Sequence, residues 1–279
     1  MHLLVTNDDG IDSVFLHELV RALQAAGHVV AVVAPKREQS WIGAAKSRHR
    51  PVSSEIADRG LNCPTWIVDG TPSDCVNIAL AHLLPRTAQG TPGIAIPPAS
   101  GRGPGAVEAI NAVVSGINIG LNASPGFILA SGTIGGAWEG AVHGLPAVAL
   151  SQDLSFAAYD RLKSAGGAPA ADLFAILKIS AAHAAHLIPT LCAATAPRSF
   201  TVHNLNFPYP CRPDSALRRT VPARVIVPGL FSPAQDDGTH RFVFQLGEDV
   251  SPSEPLTDRA ALAAGFISHT LLDYRKLGQ

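Results

Sequence analysis

Two adjacent carboxylates, Asp8 and Asp9, stand directly after a short apolar run, His2 to Thr6. Like charges held within a few ångströms either raise one pKa or call for a cation between them. Other polar side chains recur where apolar runs end. Ser40 closes the loop Arg37-Glu38-Gln39-Ser40, Asn118 and Asn122 follow the run Ala112 to Ser115, and Ser131-Gly132-Thr133 opens a later segment. Two carboxylates, a serine hydroxyl and an asparagine carbonyl make an all-oxygen set, which suits Mg²⁺ or Mn²⁺ better than zinc or copper. A helix start such as Ser131-Gly132-Thr133 offers free backbone N–H groups to a phosphate. These residue types point to a phosphate handled with a divalent cation. Each also has a plainer reading: Asp8-Asp9-Gly10 as a turn and cap, and Ser131 as an ordinary N-cap.

These groups can meet only if the chain brings the strand ends to one rim. His2 to Thr6 and His28 to Ala34 are continuous apolar runs, the pattern of strands buried on both faces of a parallel sheet. Leu16, Leu19, Val20 and Leu23 recur at helical spacing, and Gly27 stands where a helix ends. A strand is expected over Thr65 to Val68. Thr71-Pro72-Ser73-Asp74 then reads as a helix start, with an N-cap, a proline at N1 and an acid at N3. Further strands are expected at Ala112 to Ser115 and Pro146 to Leu150. Helices are expected from Ser131 to about His143 and from Ala171 to Ile188. This alternation predicts an α/β fold: a doubly wound, mostly parallel, Rossmann-like sheet. In such sheets ligands bind beyond the carboxyl ends of the strands, where all the polar residues named above lie. After about residue 198 short alternating segments, such as Arg241-Phe242-Val243-Phe244 and Phe266-Ile267-Ser268, suggest a C-terminal β-hairpin extension.

Composition narrows the function classes. The 279 residues carry 21 Lys and Arg against 22 Asp and Glu, a formal net charge of −1. No nucleic-acid polymer is expected as partner at that balance. The fraction of apolar residues, 47%, excludes disorder of the whole chain. No apolar run reaches about 18 residues, so no membrane span is expected. The N-terminus shows no signal-peptide pattern, and none of the four cysteines pair as CxxC, so free thiols in a cytoplasmic setting are expected. Gly101, Gly103 and Gly105 have the wrong spacing for a dinucleotide-binding turn. Gly43 to Ser47 lacks the Gly-Lys of a P-loop, and no GxSxG elbow occurs. Gly and Pro supply 10 of the 21 residues from Pro85 to Gly105, a stretch expected to be neither helix nor strand.

The order of the motifs resembles the SurE survival-protein family of metal-dependent 5′/3′-nucleotidases. The segments that carry the resemblance are Val5-Thr6-Asn7-Asp8-Asp9-Gly10-Ile11, Ala34-Pro35 through Ser40, and Asp69-Gly70-Thr71-Pro72-Ser73-Asp74-Cys75-Val76. They continue with Val114-Ser115-Gly116-Ile117-Asn118-Ile119-Gly120-Leu121-Asn122, Ser131-Gly132-Thr133 through Ala147, and Ala264 to Ser268. The resemblance implies a single domain over residues 1–279 with its core at about 1–198 and its extension at about 199–279. It implies one divalent metal ion per subunit, Mg or Mn, held by Asp8, Asp9, Ser40 and Asn118. Asp8 and Asp9 would be catalytic, with Asp8 the better candidate to orient water. Asn7, Asn122, Ser131, Gly132 and Thr133 would hold the phosphate. The implied substrate is a small phosphate ester, a nucleoside 5′- or 3′-monophosphate, and the implied assembly is a homodimer or homotetramer.

The chain departs from the family pattern in several places. Trp41 replaces the small residue usual after the loop serine, and is expected to stack on a base, shield the site or pack away. Ala130 stands where a histidine is common, Ile110-Asn111 replaces Pro-Asp, and residues 85–108 read as an insertion. These departures motivate two other readings. One is a nucleotide-binding or regulatory protein with weakened catalysis, and the other a phosphatase acting on another small phosphate ester. A covalent aspartyl-phosphate mechanism expects Asp-x-Asp, whereas here the acids are adjacent.

Overall fold

In the computed structural model, which describes residues 1–95 and 106–276, both continuous apolar runs are buried strands: β1 (His2–Thr6) and β2 (Val29–Pro35). The later strands are β3 (Ser54–Ile56), β4 (Thr65–Val68), β5 (Gly93–Ala95), β6 (Val107–Ala109), β7 (Ala112–Ile119) and β8 (Ala147–Gln152). They continue with β9 (Thr201–Phe207), β10 (Leu217–Thr220), β11 (Val225–Ile226), β12 (Glu248–Asp249) and β13 (Ile267–Asp273). The α-helices are α1 (Val14–Ala25), α2 (Pro72–Ile78), α3 (Pro125–Ala130), α4 (Gly132–Val142), α5 (Phe156–Ser164), α6 (Ala171–Ala193) and α7 (Asp258–Ala263).

Nine strands form one sheet in the order β10-β13-β9-β8-β7-β1-β2-β4-β3. All neighbours in it are parallel except β13 with β9 and β3 with β4. The order reverses at β1, which pairs with β2 on one side and β7 on the other. That reversal is the topological switch point, and it opens a crevice between the carboxyl ends of β1 and β7. Alternate residues of β1 serve opposite layers. Leu3 and Val5 join the core under α1 and α6, while Leu4 joins the core under α2. Thr71 caps α2 as its sequence suggests: its Oγ1 accepts the Asp74 amide at 3.1 Å, and the Asp74 carboxylate accepts the Thr71 amide at 2.9 Å. Helix α4 lies unusually close to the sheet. A Cβ on Gly140 would sit 2.5 Å from Val113 Cβ, so only glycine permits that approach.

Several expectations change. The sheet does not stop near residue 198: β9 is buried along its length and β13 pairs antiparallel with it. The β-rich part of the C-terminal region is thus largely an extension of the main sheet, with only β11 and β12 forming a separate short pair. Residues 241–244 make one isolated bridge, Phe231 to Phe242, held by the Ser232 amide on the Arg241 carbonyl at 2.8 Å and the Val243 amide on the Leu230 carbonyl at 2.9 Å, while Phe242 and Phe244 contact other aromatic rings. Within the Pro/Gly-rich stretch, Gly93–Ala95 pairs antiparallel with Val107–Ala109, and Ile94 is buried. The rest of that insertion, residues 96–105, lies outside the described residues. Helix α6 is 23 residues long and apolar enough to cross a membrane by length and composition. Its buried stripe, which includes Leu173, Leu177, Ala181, Ala184 and Ile188, instead packs into the core shared with α1. The four cysteines carry no disulfide.

Candidate active site

The turn after β1 brings Asn7, Asp8 and Asp9 to the switch-point crevice. Asp8 is buried and doubly anchored. Its Oδ1 accepts the Thr133 hydroxyl at 2.5 Å, and its backbone carbonyl accepts the Gln39 amide at 2.7 Å. Asp9 Oδ2 accepts the Ile119 amide at 3.2 Å, which ties the dyad to the end of β7. One residue earlier, Asn118 donates its Nδ2 to the Gly120 carbonyl at 2.7 Å. Its Oδ1 is then left without a partner among the described residues.

The helix start of α4 abuts the dyad. A Cβ on Gly132 would lie 2.8 Å from both Asp8 Cβ and the Gln39 carbonyl. Ser131 Oγ accepts the Ile134 amide at 3.1 Å and caps the helix, while the Thr133 hydroxyl is committed to Asp8. The Thr133 hydroxyl is thus held by Asp8, while the Gly132 amide has no partner among the described residues and remains a donor at this helix start. Asn7 changes role as well. Its Nδ2 donates to the Gly10 carbonyl at 2.9 Å, and its buried Oδ1 has no partner among the described residues. An unpartnered acceptor suits a cation better than a phosphate oxygen.

Ser40 and Trp41 ride on the loop after β2, which is pinned at several points. The Gly43 amide donates to the Ala130 carbonyl at 2.8 Å, and Thr71 Oγ1 donates to the Ala45 carbonyl at 2.7 Å. Lys46 Nζ pairs with the buried Glu139 of α4 at 2.6 Å, and Asn77 Nδ2 donates to the same carboxylate at 2.8 Å. Ser40 is exposed, and its amide donates to Glu38 Oε1 at 3.2 Å. Asn122 is buried one turn beyond Asn118. It donates to Ser151 Oγ at 2.9 Å, and its backbone is held by Asn204 and Asn206. It anchors the turn, with that donor already committed.

Electrostatics concentrate on the dyad. Burial pushes Asp8 up to about 6, against the lowering effect of the Thr133 bonds. Burial and then the neighbouring Asp8 charge push Asp9 well above the ordinary carboxylate range, and Glu38 adds to the repulsion on both. Two adjacent like charges, one buried and one half-buried, are costly without a counter-ion. The carboxylates, the unpartnered Asn7 and Asn118 carbonyls and the exposed Ser40 hydroxyl are all oxygen donors, and they fit a hard divalent cation.

The family model described as Survival protein SurE matches residues 3–225. The chain belongs to the SurE family. Proteins called 5′-nucleotidase SurE from Solidesulfovibrio magneticus and Synechococcus elongatus are 36% and 31% identical to it. Those alignments cover 98% of this chain in both cases, and 92% and 94% of the relatives. The relative of the same name from Desulforudis audaxviator is 38% identical over a shorter span, 54% of this chain and 50% of that protein. The crystal structure of the SurE protein from Aquifex aeolicus superposes with a TM-score of 0.66 at 24% identity, covering 98% of this chain and 93% of that one, which supports the fold.

Within this SurE framework the sequence reading missed three contributors. Thr133 donates its hydroxyl to Asp8, a contact across 125 residues that no local pattern signals. Glu38 lies close enough to raise both aspartates. Phe127, Phe242 and Phe244 gather around Trp41, and the Phe-x-Phe spacing was legible only as a strand.

Proposed function

We propose that the chain is a metal-dependent phosphomonoesterase that hydrolyses nucleoside 5′- or 3′-monophosphates to nucleoside and phosphate. The observation that carries this is the dyad itself: two adjacent carboxylates, the buried Asp8 fixed by Thr133 and the half-buried Asp9 by the Ile119 amide, at the switch point of a SurE-family sheet. The names of the relatives agree with it. Asp8, Asp9, Asn118 and Ser40 would hold one Mg²⁺ or Mn²⁺. Such an ion supplies Lewis acidity toward phosphoryl oxygens and water. The residues of the chain do the positioning. Thr133 keeps Asp8 in one orientation, from which it directs the attacking water. The Ile119 amide keeps Asp9 turned toward the crevice. The Gly132 amide and the positive end of α4 favour a phosphate oxygen beside the dyad. Asn122 holds the turn that carries Asn118 and Ile119. Assembly as a homodimer or homotetramer is part of the proposal, and exposed Ile226, Phe231 and Val250 offer apolar surface for it. Four thiols without a disulfide are in keeping with a cytoplasmic setting.

Phosphate release from a panel of nucleoside monophosphates, with Mg²⁺, Mn²⁺ or EDTA, tests the reading. Metal-dependent release on at least one substrate is expected, abolished by EDTA. Asp9→Asn should lower turnover by about a hundredfold or more while circular dichroism stays native, the loss that removing one key electrostatic group commonly gives. Release that survives EDTA, or full turnover of Asp9→Asn at saturating Mn²⁺, would overturn it.

A further inference from the structure

The residue after Ser40 is built into an aromatic cluster that the core does not need. Trp41 adopts φ 62°, in the left-handed region that non-glycine residues seldom occupy. Its ring lies 4.9 Å from Phe242, 5.6 Å from Phe127 and 6.3 Å from Phe244, at interplanar angles of 60°, 62° and 67°. Phe244 also meets Phe127 at 5.8 Å and Phe156 at 6.4 Å. Separate parts of the chain converge here: the loop after β2, helix α3, the first residue of α5 and the segment between β11 and β12. Trp41 is 40% exposed, and Phe242 and Phe244 are each 45% exposed. A cluster serving only to tether the segment would turn these rings inward, because each exposed aromatic forfeits much of its burial energy.

The cluster adjoins the dyad. The Gln39 amide bonds the Asp8 carbonyl, and Trp41 is two residues further on, at most about 7 Å of chain. A phosphate at the dyad would place the group beyond its ribose on the scale of that separation. Arg259 lies 5.8 Å from the Phe127 ring centre, so a cation borders the wall as well. A flat, π-rich, partly polar ligand suits such a surface better than an aliphatic one.

We propose that the exposed faces of Trp41, Phe242 and Phe244 hold the nucleobase of the substrate by stacking, which makes the segment between β11 and β12 a specificity element. The inference rests on the nucleotidase reading and adds to it a preference: phosphate esters that carry an aromatic base are favoured over those that do not. The wall touches the base alone, so these are specificity residues. Substrate discrimination is the quantity they control.

The test compares kcat/KM for adenosine 5′-monophosphate, cytidine 5′-monophosphate and ribose 5-phosphate in the wild type, Trp41→Leu, Trp41→Phe and Phe242→Ala/Phe244→Ala. Leucine keeps apolar bulk in the loop and removes the ring, so a folded variant is available even if alanine disrupts packing. The ratio of adenosine 5′-monophosphate to ribose 5-phosphate should fall roughly tenfold in Trp41→Leu, the scale of one lost base–aromatic stack. It should fall at least as far in the double variant, and recover in part in Trp41→Phe. A ratio unchanged within twofold, or equal losses on both substrates, would show that the cluster is only structural. If the wild type releases phosphate from no substrate, the nucleotidase reading fails, and tryptophan fluorescence then decides the wall by itself. Quenching by adenosine 5′-monophosphate but not ribose 5-phosphate, lost in Trp41→Phe, supports stacking. Absence of quenching refutes it.

Discussion

Thr133 is the residue whose role the chain conceals most fully. A hydroxyl in a Ser-Gly-Thr helix start reads as a ligand donor, yet it donates to Asp8 Oδ1 at 2.5 Å. The aspartates stand out locally, as two adjacent carboxylates at a strand end, although a turn and cap would use the same residues. What completes them does not stand out, since Thr133 and Ile119 reach the dyad only through the fold. Hydrogen bonds to charged groups contribute about 1.5–3 kcal/mol, so a bond that fixes Asp8 in its working orientation should be visible in rate. Thr133→Val keeps the shape and removes the donor. Its turnover at saturating Mn²⁺ should fall at least about tenfold by that magnitude, with a modest change in melting temperature. Wild-type turnover in that variant would mean that Asp8 is oriented by something else.

At the scale of elements, strands β1 and β2, the apolar stripe of α1 and the N-caps of α2 and α4 are readable, because apolar patterns and N-cap chemistry are local signals. Helices α3 and α5 are not. Each is under ten residues, too short for periodicity to show, and α3 has no side-chain cap. Strand β9 was missed because Thr201, His203, Asn204 and Asn206 make it look exposed. In the fold Asn204 and Asn206 bond the Asn122 backbone, and His203 bonds His269. The first glycine of α4 is either an ordinary helix residue or the point that sets how closely the helix approaches the dyad. Gly132→Ala separates these views by sign. Helix propensity alone would make alanine stabilising, by up to about 1 kcal/mol. A Cβ 2.8 Å from Asp8 Cβ and from the Gln39 carbonyl must instead push apart two backbone segments. Overpacking of that kind costs about 1–3 kcal/mol. Loss of both stability and activity is therefore expected in denaturant titration and in the phosphate assay. A stabilised, fully active variant would refute the close-approach account.

For the whole molecule, the C-terminal strand β13 closes the sheet by inserting between β10 and β9, and the seam contains a buried histidine pair. Thr195 Oγ1 donates to the Leu191 carbonyl at 2.8 Å and accepts from His203 Nε2 at 2.7 Å. His203 Nδ1 in turn accepts from His269 Nε2 at 2.9 Å. This chain of bonds is satisfied with both imidazoles neutral. Burial lowers each histidine to about 4; the Arg219 charge opposite acts on both, and His203 itself acts on His269. An unfolded histidine takes up its proton near 6.5, whereas these do so only near 4. Between those values the unfolded chain binds more protons, so this pair makes stability fall as pH drops, on the order of a few kcal/mol in all. Above 6.5 its contribution is flat, and below about 4 the loss is complete. Asp8 and Asp153, both raised to about 6, act with the opposite sign over part of the same window. The pair is therefore isolated by comparing unfolding free energies of the wild type and His203→Gln/His269→Gln from pH 7.5 to 4.5. The difference between the two proteins should shift in favour of the variant as pH falls. A difference that stays constant across that range would show that the seam is indifferent to protonation.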